Sequence, residues 1–203
     1  MKISSFVPVC GLAAILAGCS DSQPAAKKAE KKVEPVSGLT ALFRMYQMAR
    51  LWAPDAQVLR MNSIHVTDVP EVKGKAGAWQ ATFVSEEKSA ARAYTYSVIE
   101  TEPNLHLGAF ALQPENWTPS KRESMPFLIA AVKVDSDAAY QTALENAAEA
   151  AKKNKAGTIS FLLEWQEKFG STAWRVIWGE SVGTSGLSVF VDASTGAYLE
   201  TMH

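Results

Sequence analysis

Apolar and polar positions along this chain follow two rhythms, one helical and one of period two, and the rhythms alternate in blocks. Leu39, Leu42, Phe43, Tyr46 and Ala49 recur at helical spacing, predicting a helix from Leu39 to about Ala53. Ser37 stands where an N-cap belongs, and Pro54-Asp55 ends the element. A second helix is predicted from about Asp137 to Lys155, with Ala139, Tyr140, Ala143, Ala147 and Ala150 as a small-residue stripe suited to close packing on a sheet. Asp135, Ser136 and Asp137 suit its positive end, Lys152, Lys153 and Lys155 its negative end, and Gly157 a left-handed exit.

Strand patterns follow each helix. Ile159, Phe161, Leu163 and Trp165 alternate with Ser160, Leu162 and Glu164. Trp174, Val176 and Trp178 alternate with Arg175 and Ile177, and Leu187, Val189 and Val191 with Ser188, Phe190 and Asp192. Such alternation belongs to sheets with one buried face. The first half offers Gln57 to Val66, Trp79 to Ser85 and Tyr94 to Glu100; Leu105 to Leu112 and Phe127 to Val134 read as connecting strands around a Pro114-to-Pro126 loop.

The two halves share spacing. Trp79 stands 15 residues after Ile64 and 15 before Tyr94, and Trp174 stands 15 after Ile159 and 15 before Val189. The order helix then antiparallel strands, twice, predicts an α+β fold of two helix-plus-sheet repeats.

The first 36 residues are of a different kind. A basic residue, Lys2, precedes an apolar run from Phe6 to Gly18 that ends Leu16-Ala17-Gly18-Cys19. The run is shorter than the roughly 20 residues of a spanning helix. Its small residues stand directly before a cysteine, where an ordinary signal would end in an A-x-A-like site. The string resembles a bacterial lipobox, which implies cleavage before Cys19 and lipidation of Cys19 as the first mature residue. Several acyl chains together anchor a protein stably. Cys10 would leave with the signal and Cys19 would carry lipid, so no free thiol remains for redox or zinc-thiolate chemistry. Ser20 follows the cysteine where an aspartate would resemble inner-membrane retention, so the expected location is the periplasmic face of the outer membrane in a Gram-negative cell. Residues 20–36 are lysine-, alanine- and proline-rich and read as a flexible tether. As a coil it reaches about 20–25 Å. The expected organisation is a signal at 1–18, lipidated cysteine and tether at 19–36, a first repeat with its connecting strands at 37–134, and a second repeat at 135–203.

The second repeat ends Ser188-Val189-Phe190-Val191-Asp192-Ala193-Ser194-Thr195-Gly196-Ala197-Tyr198-Leu199. A strand, Val-Asp-Ala-x-Thr-Gly, and another short strand resemble the end of a PepSY domain, with Trp174 matching the aromatic residue that family carries in the preceding strand. The resemblance implies a helix followed by a small antiparallel sheet and a non-enzymatic module of secreted or membrane-associated bacterial proteins, in some cases linked to peptidase inhibition. The first repeat has Ile99-Glu100-Thr101-Glu102-Pro103-Asn104 in place of that string and reads as a degenerate copy. The string itself is a fold marker: Asp192 can accept from turn amides, and Gly196 can take the positive φ of a short loop.

Charge and motifs exclude more than they assign. A net charge of −1 offers no field for nucleic acid. His65, His106 and His203 are the histidines, and no two have metal-ligand spacing. Asp135-Ser136-Asp137 opens like a calcium loop, but Tyr140 and Asn146 stand where Gly and Glu belong. The Gly179-to-Gly186 loop is hydroxyl-rich without a phosphate-loop lysine, and no nucleophile elbow occurs. No catalytic residue, metal or cofactor is expected.

The stronger clue lies on the nominally polar side of the second repeat, where Leu162, Ile177 and Phe190 would form an apolar row. Its counterparts in the first repeat are Gln80, Thr82, Thr95 and Ser97. Three things can cover the row: the connecting strands or other repeat, a second copy making a homo-oligomer, or a partner protein. The apolar Leu105-to-Val134 segment, which must pack somewhere, favours the first. The expectation is a lipid-anchored, non-catalytic interaction module of the envelope that binds a protein or envelope component, with a structural spacer or a peptidase inhibitor as alternatives.

Overall fold

The computed structural model describes residues 33–70, 72–101, 105–119, 125–154 and 157–203. The signal, Cys19 and most of the tether lie outside the described residues.

Helix α1 (Gly38–Trp52) buries Gly38, Ala41, Leu42, Met45 and Ala49, a stripe at helical spacing. Phe43, expected on that stripe, is instead about half exposed, because the apolar arc turns toward Ala41 and Met45. Helix α2 (Ser136–Lys153) buries Ala139, Ala143 and Ala147, as its small-residue pattern predicts. It leaves helical geometry at Ala147, next to Asn146, whose amide donates to the Thr142 carbonyl at 2.9 Å and competes for the helical ladder. It ends with Asn154 extended, directly after Lys153, so the left-handed exit expected at Gly157 is not what stops it.

Ten strands accompany the helices: β1 (Val36–Ser37), β2 (Gln57–Ile64), β3 (Lys75–Ala76), β4 (Ala78–Ser85), β5 (Ala90–Ser97), β6 (Gly108–Asn116), β7 (Ile159–Gln166), β8 (Ser171–Trp178), β9 (Ser188–Asp192) and β10 (Tyr198–Met202). The strands β1 and β3 pair with each other, and the other eight form one antiparallel sheet in the order β10-β9-β8-β7-β2-β4-β5-β6. Each helix is thus followed by a four-stranded antiparallel meander, and β2 joins β7 at the centre. The architecture is α+β. Helix α1 lies against β4, β5 and β6, and α2 against β8, β9 and β10, all on one face of the sheet.

Phe127 to Val134 does not form the expected strand. Phe127 makes one bridge to Val58, and Ile129–Ala131 winds into a 3₁₀ turn that buries Ile129. Pro114, expected to open a loop, sits inside β6, an edge strand with no outer neighbour to need its amide.

The core face carries Trp79, Phe83, Tyr94, Phe161, Leu163, Trp174, Val176, Val189 and Val191. Trp79 and Trp174 meet edge to face with ring centres 6.2 Å apart. The Trp79 indole donates to the Val36 carbonyl at 3.0 Å, and the Trp174 indole to the Val134 carbonyl at 2.8 Å. Each acceptor lies two residues before its own helix.

The helix starts are also coupled. Asp135 Oδ1 accepts from the Ser136 amide at 2.7 Å and from the Leu39 amide at 2.8 Å, so one carboxylate serves both N-termini. The Ser136 hydroxyl accepts from the Gly38 amide at 2.7 Å and donates to the Gly74 carbonyl at 2.6 Å. Ser37 holds the N-cap position of α1 without a side-chain capping bond; its hydroxyl sits 3.0 Å from that of Thr40. The cap of α1 therefore comes from the other half of the chain.

Asp135→Ala should lower unfolding free energy by about 2 kcal/mol, since it strips acceptors from two helix ends at once. Urea unfolding at neutral pH checks this, with Asp137→Ala, whose carboxylate caps only Ala138, as the weaker control.

Candidate functional site

The helices cover one face of the sheet, so any contact made by the sheet itself must use the other. On that open face the register sets Asn62 opposite Leu162, Leu162 opposite Arg175, Arg175 opposite Phe190, and Phe190 opposite Glu200. Ile177 lies two residues along β8, between Ser160 and Ser188. Leu162, Ile177 and Phe190 share the open face but do not form the expected apolar row, because Arg175 stands between Leu162 and Phe190.

Two of the three are not exposed either. Ile177 is 3% and Phe190 4% accessible, while Leu162 is half-buried. Phe169, from the β7–β8 turn, lies over the open face with its ring 5.4 Å from that of Phe190, and the Arg175 guanidinium sits 5.1 Å above the same ring. The Ser160 hydroxyl donates to the Gly179 carbonyl at 2.7 Å, which brings the loop after β8 down beside Ile177. Among the described residues the cover seen over Phe190 and beside Ile177 comes from these turns of the same chain.

The first half of the face is covered at both ends. Leu59, Val84, Ala91 and Trp117 cluster at one, and Val66, Val69 and Ala78, joined by Ile64, Ile99 and Leu105, at the other. Between the covered parts lies a strip across the β2–β7–β8 seam: exposed Arg60, and half-buried Asn62, Leu162, Glu164 and Arg175.

Arg60 and Glu164 are direct cross-strand partners. Burial raises the Glu164 pKa above the usual carboxylate range, against the Gln166 amide, which donates to it at 2.8 Å, and the charges of Arg60 and Arg175. Burial lowers the Arg175 pKa, opposed by Glu164. The Arg175 Nε is buried without a hydrogen-bond partner. Sequence reading took Glu164 and Arg175 only as polar beats of an alternation. The legible signal was two opposite charges on the outward parity of strands joined by the tight Gln166-to-Gly170 turn.

The string from Asp192 to Gly196 is the turn it was expected to be. Asp192 Oδ1 accepts from the Ser194 amide at 3.0 Å and the Thr195 amide at 2.9 Å, and Gly196 has φ +78°. Burial opposes the Asp192 charge, but hydrogen bonds from Ser171, Thr195 and Ser194 outweigh it and bring the pKa below the usual range. Asp55 behaves alike: burial is outweighed by the Ser85 hydroxyl at 2.7 Å and the Glu87 amide at 3.1 Å. His106 Nδ1 lies 2.7 Å from Glu100 on the surface. Among the described residues no three metal-ligating side chains cluster.

No family model matches the chain. No curated protein matches it. Among solved structures, a candidate lipoprotein from Clostridium difficile 630 is similar over 86% of this chain and 95% of its own, with a TM-score of 0.47 and 11% identity.

Phe190→Ala should cost about 3 kcal/mol, the range of a buried aromatic, and Leu162→Ala clearly less. Equilibrium unfolding of both variants tests the assignment of Phe190 to packing. Asp192→Asn should cost about 1–3 kcal/mol at neutral pH. A carboxylate with a depressed folded pKa stabilises above its unfolded value and loses that contribution as pH falls through the folded one. The difference between Asp192→Asn and the parent should therefore vanish in acid, seen in unfolding curves at several pH values. Glu164 has the opposite sign: its contribution improves on acidification and worsens as pH rises through its raised pKa.

Proposed function

We propose that this protein is a lipid-anchored, non-catalytic binding module of the bacterial envelope, held by Cys19 and contacting a partner through the open-face seam of its sheet. One observation carries the binding part: helices occupy one face, the chain's own turns cover most of the other, and a charged strip, with the Arg175 Nε buried and unpaired, is left at the join of the two meanders. The anchor rests on the Leu16-Ala17-Gly18-Cys19 string behind its short apolar run. Among the described residues no helix is long and apolar enough to cross a membrane.

The two helix-plus-meander units are read as a tandem, the second PepSY-like. Supporting this are the matched Trp79 and Trp174 bonds to carbonyls two residues before each helix and the Asp192-to-Gly196 turn. Ser20 after the cysteine favours the periplasmic face of the outer membrane in a Gram-negative cell. The partner in this reading is an envelope protein.

Cys19→Ala should block lipidation and leave unprocessed precursor in the membrane fraction, read by intact mass. Normal maturation of that variant would remove the anchor from the proposal. A photo-crosslinker at position 162 in the anchored protein should capture a partner in intact cells that one at exposed Gln47 on α1 does not. Equal capture at both positions would remove the binding face.

A further inference from the structure

We propose that Arg60 and Arg175 form a binding site for a carboxylate-rich extended peptide segment of a partner protein, laid across β2, β7 and β8. This rests on the binding-face reading above and adds the chemistry of what is bound.

Among the described residues neither guanidinium forms an ion pair; Arg175 stacks on Phe190, and both act on Glu164 only through longer-range charge attraction. The ion pairs among the described residues are Glu100–His106, Glu149–Lys152 and Glu200–Lys168, and none involves Arg60, Arg175 or Glu164. Among the described residues the Arg60 side chain, which is exposed, forms no ion pair, and the Arg175 Nε is buried without an acceptor. A guanidinium held in a half-buried place without an acceptor is costly, and a carboxylate is the group whose geometry it matches by two parallel hydrogen bonds. The one carboxylate beside the pair, Glu164, already accepts from Gln166. Two cations against one carboxylate leave the strip positive.

The spacing argues for separate anionic groups. Arg60 and Arg175 lie two strands and two residues apart, about 12 Å by strand spacing and rise. Arg175 leans over Phe190 on β9, away from β2, so the two heads diverge. The stacking on Phe190 fixes the Arg175 side chain and reduces the ordering a ligand must impose. Half-buried Leu162 between them offers an apolar contact for the peptide's alternate side chains, and Asn62 an amide. The β7–β8 turn and the loop after β8 flank the strip, an access that an extended chain can follow and a bilayer plane cannot.

The test uses the full chain purified in detergent and a fluorescein-labelled decapeptide of alternating Glu and Leu. Saturable binding is expected that weakens with salt, with an alternating Lys and Leu peptide not binding. Arg60→Gln and Arg175→Gln should each weaken it about tenfold or more, the worth of one charge-assisted contact. Glu164→Gln should tighten it, since it removes the one carboxylate beside the two guanidiniums. Arg60 is exposed, so if Arg175→Gln proves unfolded by circular dichroism, Arg60→Gln decides alone. No saturable binding, or binding indifferent to Arg60→Gln, overturns the proposal. So does full displacement by millimolar inorganic phosphate, which would mean a simple anion site, or by phosphatidylglycerol vesicles, which would mean a lipid surface. If the peptide fails while the position-162 crosslinker still captures a partner, the carboxylate chemistry falls and the binding face stands; if both fail, both fall.

Discussion

Two helix N-termini brought close together repel, because each carries about half a positive charge and unsatisfied amides. This fold does bring them together and answers the conflict with one side chain. Asp135 Oδ1 takes an amide from each helix, and the neighbouring Ser136 hydroxyl links the first amide of α1 to the carbonyl of Gly74. The arrangement fixes what can stand nearby. A Cβ at Gly38 would come within 2.6 Å of the Trp174 ring, and one at Gly74, which has φ +85°, within 2.5 Å of the Asp137 backbone. Glycine at both positions follows from the closeness of the helix starts.

Trp79 and Trp174 extend that junction into the sheet. Each indole ties its own meander to the chain entering its own helix, and the two rings meet edge to face between the halves. They are needed, because the backbone seam between the meanders is short. It has three residue pairs, from Arg60–Glu164 to Asn62–Leu162, where the β7–β8 ladder has eight. Past Asn62 a side chain takes over: the Phe161 amide donates to the Ser63 hydroxyl at 2.9 Å. The halves are joined by aromatic packing and helix capping more than by strand pairing.

Where one residue's surroundings follow from its own neighbours in sequence, the sequence was legible. The core-facing set of β8 and β9, the alanine stripe of α2 and the Asp192-to-Gly196 turn are local patterns, and the structure has them, although both faces of β8 and β9 are largely buried where the alternation predicted one. Where surroundings depend on distant chain, it was not. Phe43 fits a helical stripe, yet the sheet beneath α1 takes Ala41 and Met45 in its place. Phe127 to Val134 is apolar enough for a strand, but β4 lines one side of β2 and β7 takes residues 60–62 of the other, and Phe127 makes only a bridge at Val58. The apolar row failed for the same reason. Alternation placed Leu162, Ile177 and Phe190 on one face correctly, but register decides neighbours across strands, and register put Arg175 between them.

The open face also separates the halves by cost. The outward positions of the first meander near its centre are half-buried Gln80 and buried Thr82 and Thr95, neutral groups that cost less to bury than charges. At the seam and in the second meander stand Arg60, Glu164 and Arg175, with burial acting against the charges of Glu164 and Arg175, their mutual attraction only partly offsetting it, and no ion pair among the described residues joining them. Buried charges without close partners subtract from stability, and apolar residues of similar size in their place commonly add to it. Stability therefore gives no reason for this cluster, whereas the turns packed around it show that the chain can cover its own apolar residues on the same face. The same face that buries Ile177 and Phe190 almost fully leaves the Arg175 Nε, stacked beside Phe190, buried without an acceptor, a cost that packing alone does not offset.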